Sequence, residues 1–170
     1  MNREKKKKLY IIGSGIKSIA HLTNETIGCI KNSNKVLYLL NEPLVEKWVQ
    51  QNASESESVS VDYFSEPERV KAYSKIANKI IEAIDKDKIV SFLIYGHPCF
   101  YAMPGLMAAS KLESNQDISV EIIPALSSLD CLYADLAIDP GQGGIYIVDA
   151  SELIAFEKML CTSSHLVIEQ

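Results

Sequence analysis

The sequence predicts an α/β fold, a mostly parallel sheet sandwiched by helices. Three observations carry that expectation. Short apolar runs recur along the chain, at residues 8–12, 35–40, 89–95, 119–123, 143–148 and 165–169. Between several of them lie segments whose apolar residues return at the spacing of one helix face. The runs 35–40 (KVLYLL) and 89–95 (IVSFLIY) are apolar almost throughout, as strands covered on both faces are. Strands that alternate with helices need crossover connections, and those make neighbouring strands parallel.

Taken in order, the run 8–12 is a strand that stops at Gly13-Ser14-Gly15, a tight turn. Residues 18–30 predict a helix with Ile19, Leu22, Thr26, Ile27 and Ile30 on one stripe. After the strand 35–40, Pro43 opens a short amphipathic helix over 43–50. The polar stretch NASESES at 52–58 reads as a surface loop, and 59–63 alternates like a third strand. From Glu66 onward, Val70, Tyr73, Ile76, Ala77, Ile80, Ile81 and Ile84 form a helical stripe, with Pro67 in its first turn. The strand 89–95 ends abruptly at Gly96-His97-Pro98. Helices are expected over 104–112, 127–136 and 151–160, and strands over 119–123, 143–148 and 165–169. This organisation predicts a flexible basic N-terminus over 1–8 and an N-terminal domain over 9–140. Residues 141–170 are expected to form a connection and the first strand of an incomplete second α/β domain.

Composition narrows the function classes. A chain of 170 residues can bury a core of its own, and 47% hydrophobic with 23% charged residues is ordinary for a globular protein. The net charge of -5 offers no general attraction to nucleic acid or to an acidic membrane. The one basic cluster, Arg3 to Lys8, precedes the first strand, contains Glu4, and reads as a solvated terminus. No run approaches the ~20 apolar residues of a membrane span, and the short apolar run after the basic start meets glycines at once, unlike a signal peptide. Cys29, Cys99, Cys131 and Cys161 are far apart with no C-x-x-C, so they predict neither a zinc site nor a disulfide framework. They are expected to be mostly buried thiols in a reducing, cytoplasmic compartment.

Chemistry concentrates at three strand ends. Gly13-Ser14-Gly15 begins a dinucleotide fingerprint, but Ser18 takes the third glycine position, and no acid ends the second strand unless Glu42 serves. The segment YGHPCFYAMPG is richer. Gly96 permits close backbone approach, Pro98 stiffens the turn, Tyr95 and His97 bring polar tips, and Phe100, Tyr101 and Met103 offer an apolar wall. Apolar walls with a few fixed polar groups suit a small-molecule site, although a turn-capping His97 among core aromatics would look the same. In IPALSSLDCLYADL, Ser127 and Ser128 stand at a helix start, where hydroxyls cap the helix or hold a ligand's polar end. Arg69 and Tyr73 are one helical turn apart and share a face; without further information Tyr73 reads as a half-buried core tyrosine.

As a set, these residues resemble a known family. GSGI after the first strand, YGHP after the fourth, PALSS after the fifth and ADLAIDP beyond it resemble the tetrapyrrole methylase fold of S-adenosylmethionine-dependent methyltransferases. Within that fold, the chain is most similar to the borosin peptide backbone α-N-methyltransferases. YGHP replaces the usual G-D-P, Tyr63, Arg69 and Tyr73 follow that branch's catalytic Tyr/Arg/Tyr order, and CLYADLAIDP and SHLVIEQ resemble its later motifs. Cys99 stands where glycine is usual after His-Pro, and Ala125 where P-G-x-S is usual.

The resemblance implies a function. S-adenosylmethionine would be the methyl donor, held by Tyr95, His97, Phe100, Tyr101, Ser127, Ser128 and Gln170, with no metal. Tyr63, Arg69, Tyr73 and Tyr95 would be catalytic: Tyr73 as base with Arg69 beside it lowering its pKa, Tyr63 and Tyr95 at the amide oxygen. The substrate would be a precursor peptide on a separate chain, and the enzyme a homodimer. The same fold also accommodates a tetrapyrrole or other small-molecule methyltransferase. A third reading is a truncated, non-catalytic domain that binds cofactor or a partner.

Overall fold

In the computed structural model, which describes residues 7–157, 159–160 and 163–169, five parallel strands form the main sheet. They are β1 (Lys7–Gly13), β2 (Lys35–Leu39), β3 (Ser56–Ser58), β4 (Ile89–Ile94) and β5 (Ile118–Ile123), in the sheet order β3-β2-β4-β1-β5. Every pairing in this sheet is parallel. The helices are α1 (Asn24–Asn32), α2 (Pro43–Asn52), α3 (Ser60–Phe64), α4 (Arg69–Lys86), α5 (Met103–Leu112) and α6 (Ser128–Leu136). Packing divides the chain into two units, residues 1–128 and 129–170, ahead of the boundary expected after residue 140. In the second unit β6 (Ile145–Asp149) pairs in parallel with β7 (His165–Glu169), and α7 (Ala150–Ala155) lies between them in sequence.

Strand alternation distributes the core over both faces of the five-stranded sheet. Leu9, Ile11, Leu37 and Phe92 pack with Ile76, Ile80 and Ile84 of α4. Ile12, Val36, Tyr38 and Leu93 pack instead with Ile30 of α1 and with Val45 and Val49 of α2. All of these are at most 3% exposed, so the central strands are buried on both sides, as their sequence predicts. The one polar residue in β4, Ser91, shares a 2.7 Å hydrogen bond with the buried Ser33 hydroxyl, which also donates to the Cys29 carbonyl. A buried hydroxyl is tolerable only with such partners.

Several elements depart from the sequence expectation. Residues 59–63 are not a strand: the third strand is Ser56–Ser58, inside the expected loop, and the next segment is the helix α3. An edge strand three residues long is held by backbone pairing to β2 and needs no apolar side chains. Ser58 then turns the chain, its hydroxyl accepting from the Ser60 backbone N–H. The helix expected over 18–30 is broken into a 3-10 turn, Ser18–His21, and α1, because Thr23 caps α1 by accepting from the Thr26 N–H. Pro67 lies before α4 rather than in its first turn. α7 ends at Ala155, short of the expected residue 160, and Glu157 adopts a φ of 46°. At the other end, β1 starts at Lys7, inside the expected flexible terminus. Lys7 donates to the Ile84 and Asp85 carbonyls near the end of α4, where a cation complements the helix dipole. The rest of the basic cluster, residues 3–6, lies outside the described residues.

Of the cysteines, Cys29 is buried, Cys131 half-buried and Cys99 exposed, so burial of the thiols holds for only part of the set; Cys161 lies outside the described residues. No helix among the described residues is long and apolar enough to cross a membrane. No group of three or more His, Cys, Asp or Glu among them could hold a metal ion.

Charge holds the β3 side of the sheet together. Lys35 pairs with Glu55 at 2.9 Å and Glu57 at 2.7 Å, and Lys79 pairs with Glu57 at 2.6 Å and Asp62 at 2.8 Å. Hydrogen bonds from Lys35 and Lys79 hold the Glu57 carboxyl below its ordinary range, and Lys79 does the same for Asp62. A depressed folded pKa contributes stability above the unfolded value, about 4, that is lost as pH falls through the folded value. The urea midpoint is therefore expected to drop steeply below about pH 4, and Asp62→Asn to flatten part of that drop. A second expectation concerns Gly13, where an added Cβ would strike the Gly96 carbonyl oxygen and stand 2.7 Å from the Ala125 Cβ. Gly13→Ala should cost about 1–3 kcal/mol in urea unfolding, as other overpacked sites do.

Candidate active site

Parallel strands bring all their carboxyl ends to one edge of the sheet, and there the connections diverge. From β2 the chain runs outward to β3, whereas from its neighbour β4 it runs the opposite way, beyond β1, to reach β5. Such a divergence opens a crevice between adjacent strand ends, the usual place for a ligand in an open α/β sheet. Beside this crevice, where the connections after β1 and β4 cross, Gly15 and Gly96 form an antiparallel bridge, with N···O distances of 3.2 and 3.1 Å. Both have positive φ, 68° and 75°, which glycine adopts without strain.

The glycine turn after β1 is closed by the chain itself. His21 Nδ1 accepts from the Ile16 and Lys17 N–H groups at 3.3 and 3.2 Å, occupying the donors that a dinucleotide phosphate would use. Glu42 is no ribose ligand either, because its carboxylate caps α2, accepting from Leu44, Val45 and the Ser18 hydroxyl. The fingerprint-like glycines serve packing.

Beside this turn lies a cleft of about 280 Å³. Its walls are Leu39 to Asn41 after β2, Ile94 and Tyr95 after β4, Tyr101 and Pro104 at the start of α5, and Tyr63, Phe64 and Tyr73 from α3 and α4. Four of the residues singled out in the sequence, Tyr63, Tyr73, Tyr95 and Tyr101, therefore meet at one place. Tyr63 and Tyr73 are stacked, with ring centroids 6.1 Å apart and planes 29° apart. The Tyr95 hydroxyl donates to the Ile16 carbonyl at 3.5 Å, tying this wall to the glycine turn. Tyr101 sits at a φ of 52°, a conformation costing of order 1–3 kcal/mol for a bulky residue. Phe100 meets its ring edge-on at 4.9 Å.

Other candidates occupy different places. His97 closes its own turn: its Nδ1 accepts from the Cys99 N–H at 3.1 Å and its carbonyl from Phe100. Ser127 is buried beyond the end of β5, and Ser128 opens α6. Neither lines the cleft. Gln170 lies outside the described residues. The lining residues that sequence reasoning missed are Leu39, Leu40, Asn41, Phe64, Ile94 and Pro104. The first three follow from the rule that ligands sit beyond strand carboxyl ends, applied to β2 as well as β4.

Arg69 is exposed at the first turn of α4, on the same face as Tyr73. Its effect on Tyr73 differs from the expectation. Burial pushes the Tyr73 phenol above its ordinary value and the neighbouring Tyr63 adds to this, while the Arg69 charge and hydrogen bond pull down without prevailing. Removing water from around a phenolate costs more than one partly solvated guanidinium returns. Tyr73 thus rests as a phenol at neutral pH. Absorbance titration of tyrosinate should show a late step that disappears in Tyr73→Phe, moves to still higher pH in Arg69→Met, and moves lower in Tyr63→Phe.

Comparison with known proteins places this arrangement. The family described as Tetrapyrrole (Corrin/Porphyrin) Methylases matches residues 8–152. A methyltransferase/ribosomally synthesized type I borosin cyclic peptide precursor of Coprinopsis marcescibilis is 32% identical over 95% of this chain and 41% of its own length. One of Gymnopilus junonius is 33% identical over 95% of this chain and 39% of its own. The chain thus spans about two fifths of the length of these relatives. Among solved structures, the uroporphyrin-III-C-methyltransferase of Thermus thermophilus superposes with a TM-score of 0.65 at 19% identity, covering 86% of this chain and 62% of that one. The precorrin-6Y methylase of Archaeoglobus fulgidus gives 0.58 at 20% identity, covering 95% and 72%. With the strand order, the glycine bridge and the cleft beyond β2 and β4, the match over residues 8–152 establishes that this chain belongs to the tetrapyrrole methylase family, whose methyl donor is S-adenosylmethionine.

Proposed function

We propose that the chain methylates backbone amide nitrogens of a peptide, as part of the maturation of a ribosomally made product. The observation that carries this reading is the meeting of Tyr63, Tyr73 and Tyr95 at one cleft, with Arg69 one turn from Tyr73. The borosin naming of the relatives supports the same choice of substrate. The cleft suits the donor: apolar walls from Leu39, Ile94 and Pro104 with tyrosine hydroxyls at the margin fit a ligand part apolar and part polar. Tyr95, Tyr101 and Phe100 would contact it directly, and His97 would shape the loop that carries them. Ser127, Ser128 and Gln170 remain in the proposed binding set through the family motif.

When bound, S-adenosylmethionine supplies an electrophilic methyl group on a sulfonium. The chain has to do the rest. An amide nitrogen is a poor nucleophile because its lone pair is delocalised into the carbonyl. In this reading Tyr73 takes the amide proton onto its phenolic oxygen, and Arg69 favours the phenolate this requires. Tyr63 donates toward the amide oxygen as negative charge builds there, and Tyr95 does so by turning its hydroxyl from the Ile16 carbonyl, a long 3.5 Å bond. Because Tyr73 rests protonated, the rate should rise with pH toward its high pKa. The stacked Tyr63 ring limits how the peptide plane can enter, which contributes orientation.

The proposed setting is the cytoplasm, with the peptide as a separate chain and the enzyme as a homodimer. Phe64, which lines the cleft, is 79% exposed and offers apolar surface for such contacts. In calorimetry S-adenosylmethionine should bind both the protein and Tyr73→Phe. Peptide methylation, read as added methyl mass on backbone nitrogen by fragmentation, should disappear in Tyr73→Phe. Undiminished turnover removes Tyr73 from the base role. Methyl transfer to carbon of a porphyrin precursor, with peptides untouched, would replace this reading with tetrapyrrole methylation.

A further inference from the structure

The position of Tyr63 poses a physical problem that the cleft alone does not solve. It is carried by α3, a helix of five residues, far shorter than a helix stable by itself. None of its residues is fully buried, and its N-cap residue, Val59, makes no side-chain cap bond; the first N–H, of Ser60, donates to the Ser58 hydroxyl. Val61 and Phe64 are 78% and 79% exposed, so the half-buried Tyr63, packed against the core, is the apolar anchor within the helix itself. What holds one end is Val59, fully buried, whose N–H donates to the Tyr38 carbonyl of β2 at 2.9 Å. The other end is held by charge.

Asp62, adjacent to Tyr63, is the centre of that hold. Its two oxygens face Lys79 at 2.8 Å and Lys75 at 3.3 Å, both on α4. Lys75 also donates to the Ser65 hydroxyl at 3.3 Å, just past the end of α3. Lys79 reaches further, to Glu57 of β3, which is itself paired with Lys35 of β2. One ammonium thus joins an edge strand, α4 and α3. Isolated surface ion pairs contribute little, but this carboxylate is 16% exposed and shared between two lysines, which reduces screening. The Tyr63–Tyr73 stack adds only about 0.5–1.5 kcal/mol, too little to order α3 without help.

We propose that Lys79 is a positioning residue: by holding Asp62 and Glu57 together it fixes α3 against α4 and keeps the Tyr63 ring stacked on Tyr73 at the cleft. This rests on the methyltransferase reading only for its consequence in turnover; the geometric statement stands without it. Displacement of Tyr63 would also relieve part of the pressure that keeps the Tyr73 phenol protonated. Lys35, which acts on the same network but does not touch Asp62, provides the contrast.

The test uses the full chain labelled with 3-fluorotyrosine, with Tyr63→Phe and Tyr73→Phe assigning the two fluorine resonances. In Lys79→Met both resonances should move toward the positions seen when the stacking partner is lost. Lys79→Arg should restore them, and Lys35→Met should leave them in place. Asp62→Asn gives the same reading if Lys79→Met does not fold, which circular dichroism establishes. Resonances unmoved in folded Lys79→Met or Asp62→Asn overturn the proposal. So does an equal shift in Lys35→Met, because the network then supplies stability without positioning. With donor and peptide, Lys79→Met should lower kcat about 10–100-fold while donor affinity stays unchanged. Moved resonances with unchanged kcat would refute Tyr63's role in the reaction and leave its positioning intact.

Discussion

The meeting of β1 and β4 at their carboxyl ends is the constraint on which the rest of the molecule depends. Gly15 and Gly96 bond to each other where the two connections cross, and Gly13 must lack a side chain for the Gly96 carbonyl to come so close. Beside that junction the Tyr95 N–H donates to the Leu39 carbonyl at 3.1 Å, which holds the start of the loop from Tyr95 to Tyr101 at the end of β2. The cleft forms there, between that loop and the α3–α4 corner. Strand burial on both faces makes the junction rigid, since β1 and β4 are both central in the sheet.

Much of this was legible in the residues. The runs 35–40 and 89–95 could only be central strands, because nothing polar interrupts them except Ser91, whose hydroxyl finds Ser33. The tyrosines at 63, 73, 95 and 101 could be collected by motif and by the strand-end rule, and they do share one cleft. β3 was not legible: Ser56–Ser58 has no apolar period, because an edge strand is specified by backbone pairing to its neighbour. The alternation in 59–63 that imitates a strand has a simpler origin. Val59 is the anchor, Val61 is exposed, and Tyr63 faces Tyr73.

The electrostatics were less legible than the positions. Spacing places Arg69 beside Tyr73, and a guanidinium beside a phenol ordinarily lowers its pKa. Burial and Tyr63 reverse the sign, and neither could be weighed before the α3–α4 corner was known. The same holds for the lysine network. Lys35, Glu57, Asp62 and Lys79 belong to four different elements, and no periodicity connects them. Local patterns report faces; long-range charge pairing is a property of the assembled layers.

The short polar strand β3 has one more consequence, for how the molecule behaves in company. A sheet edge offers unpaired backbone groups to any extended chain that meets it. Here one edge is only three residues long, and its Glu57 is flanked by Lys35 and Lys79, so a second copy approaching to add a strand would meet charges it cannot bury. The same ion pairs that join β3, α3 and α4 thus also guard this edge against templated aggregation.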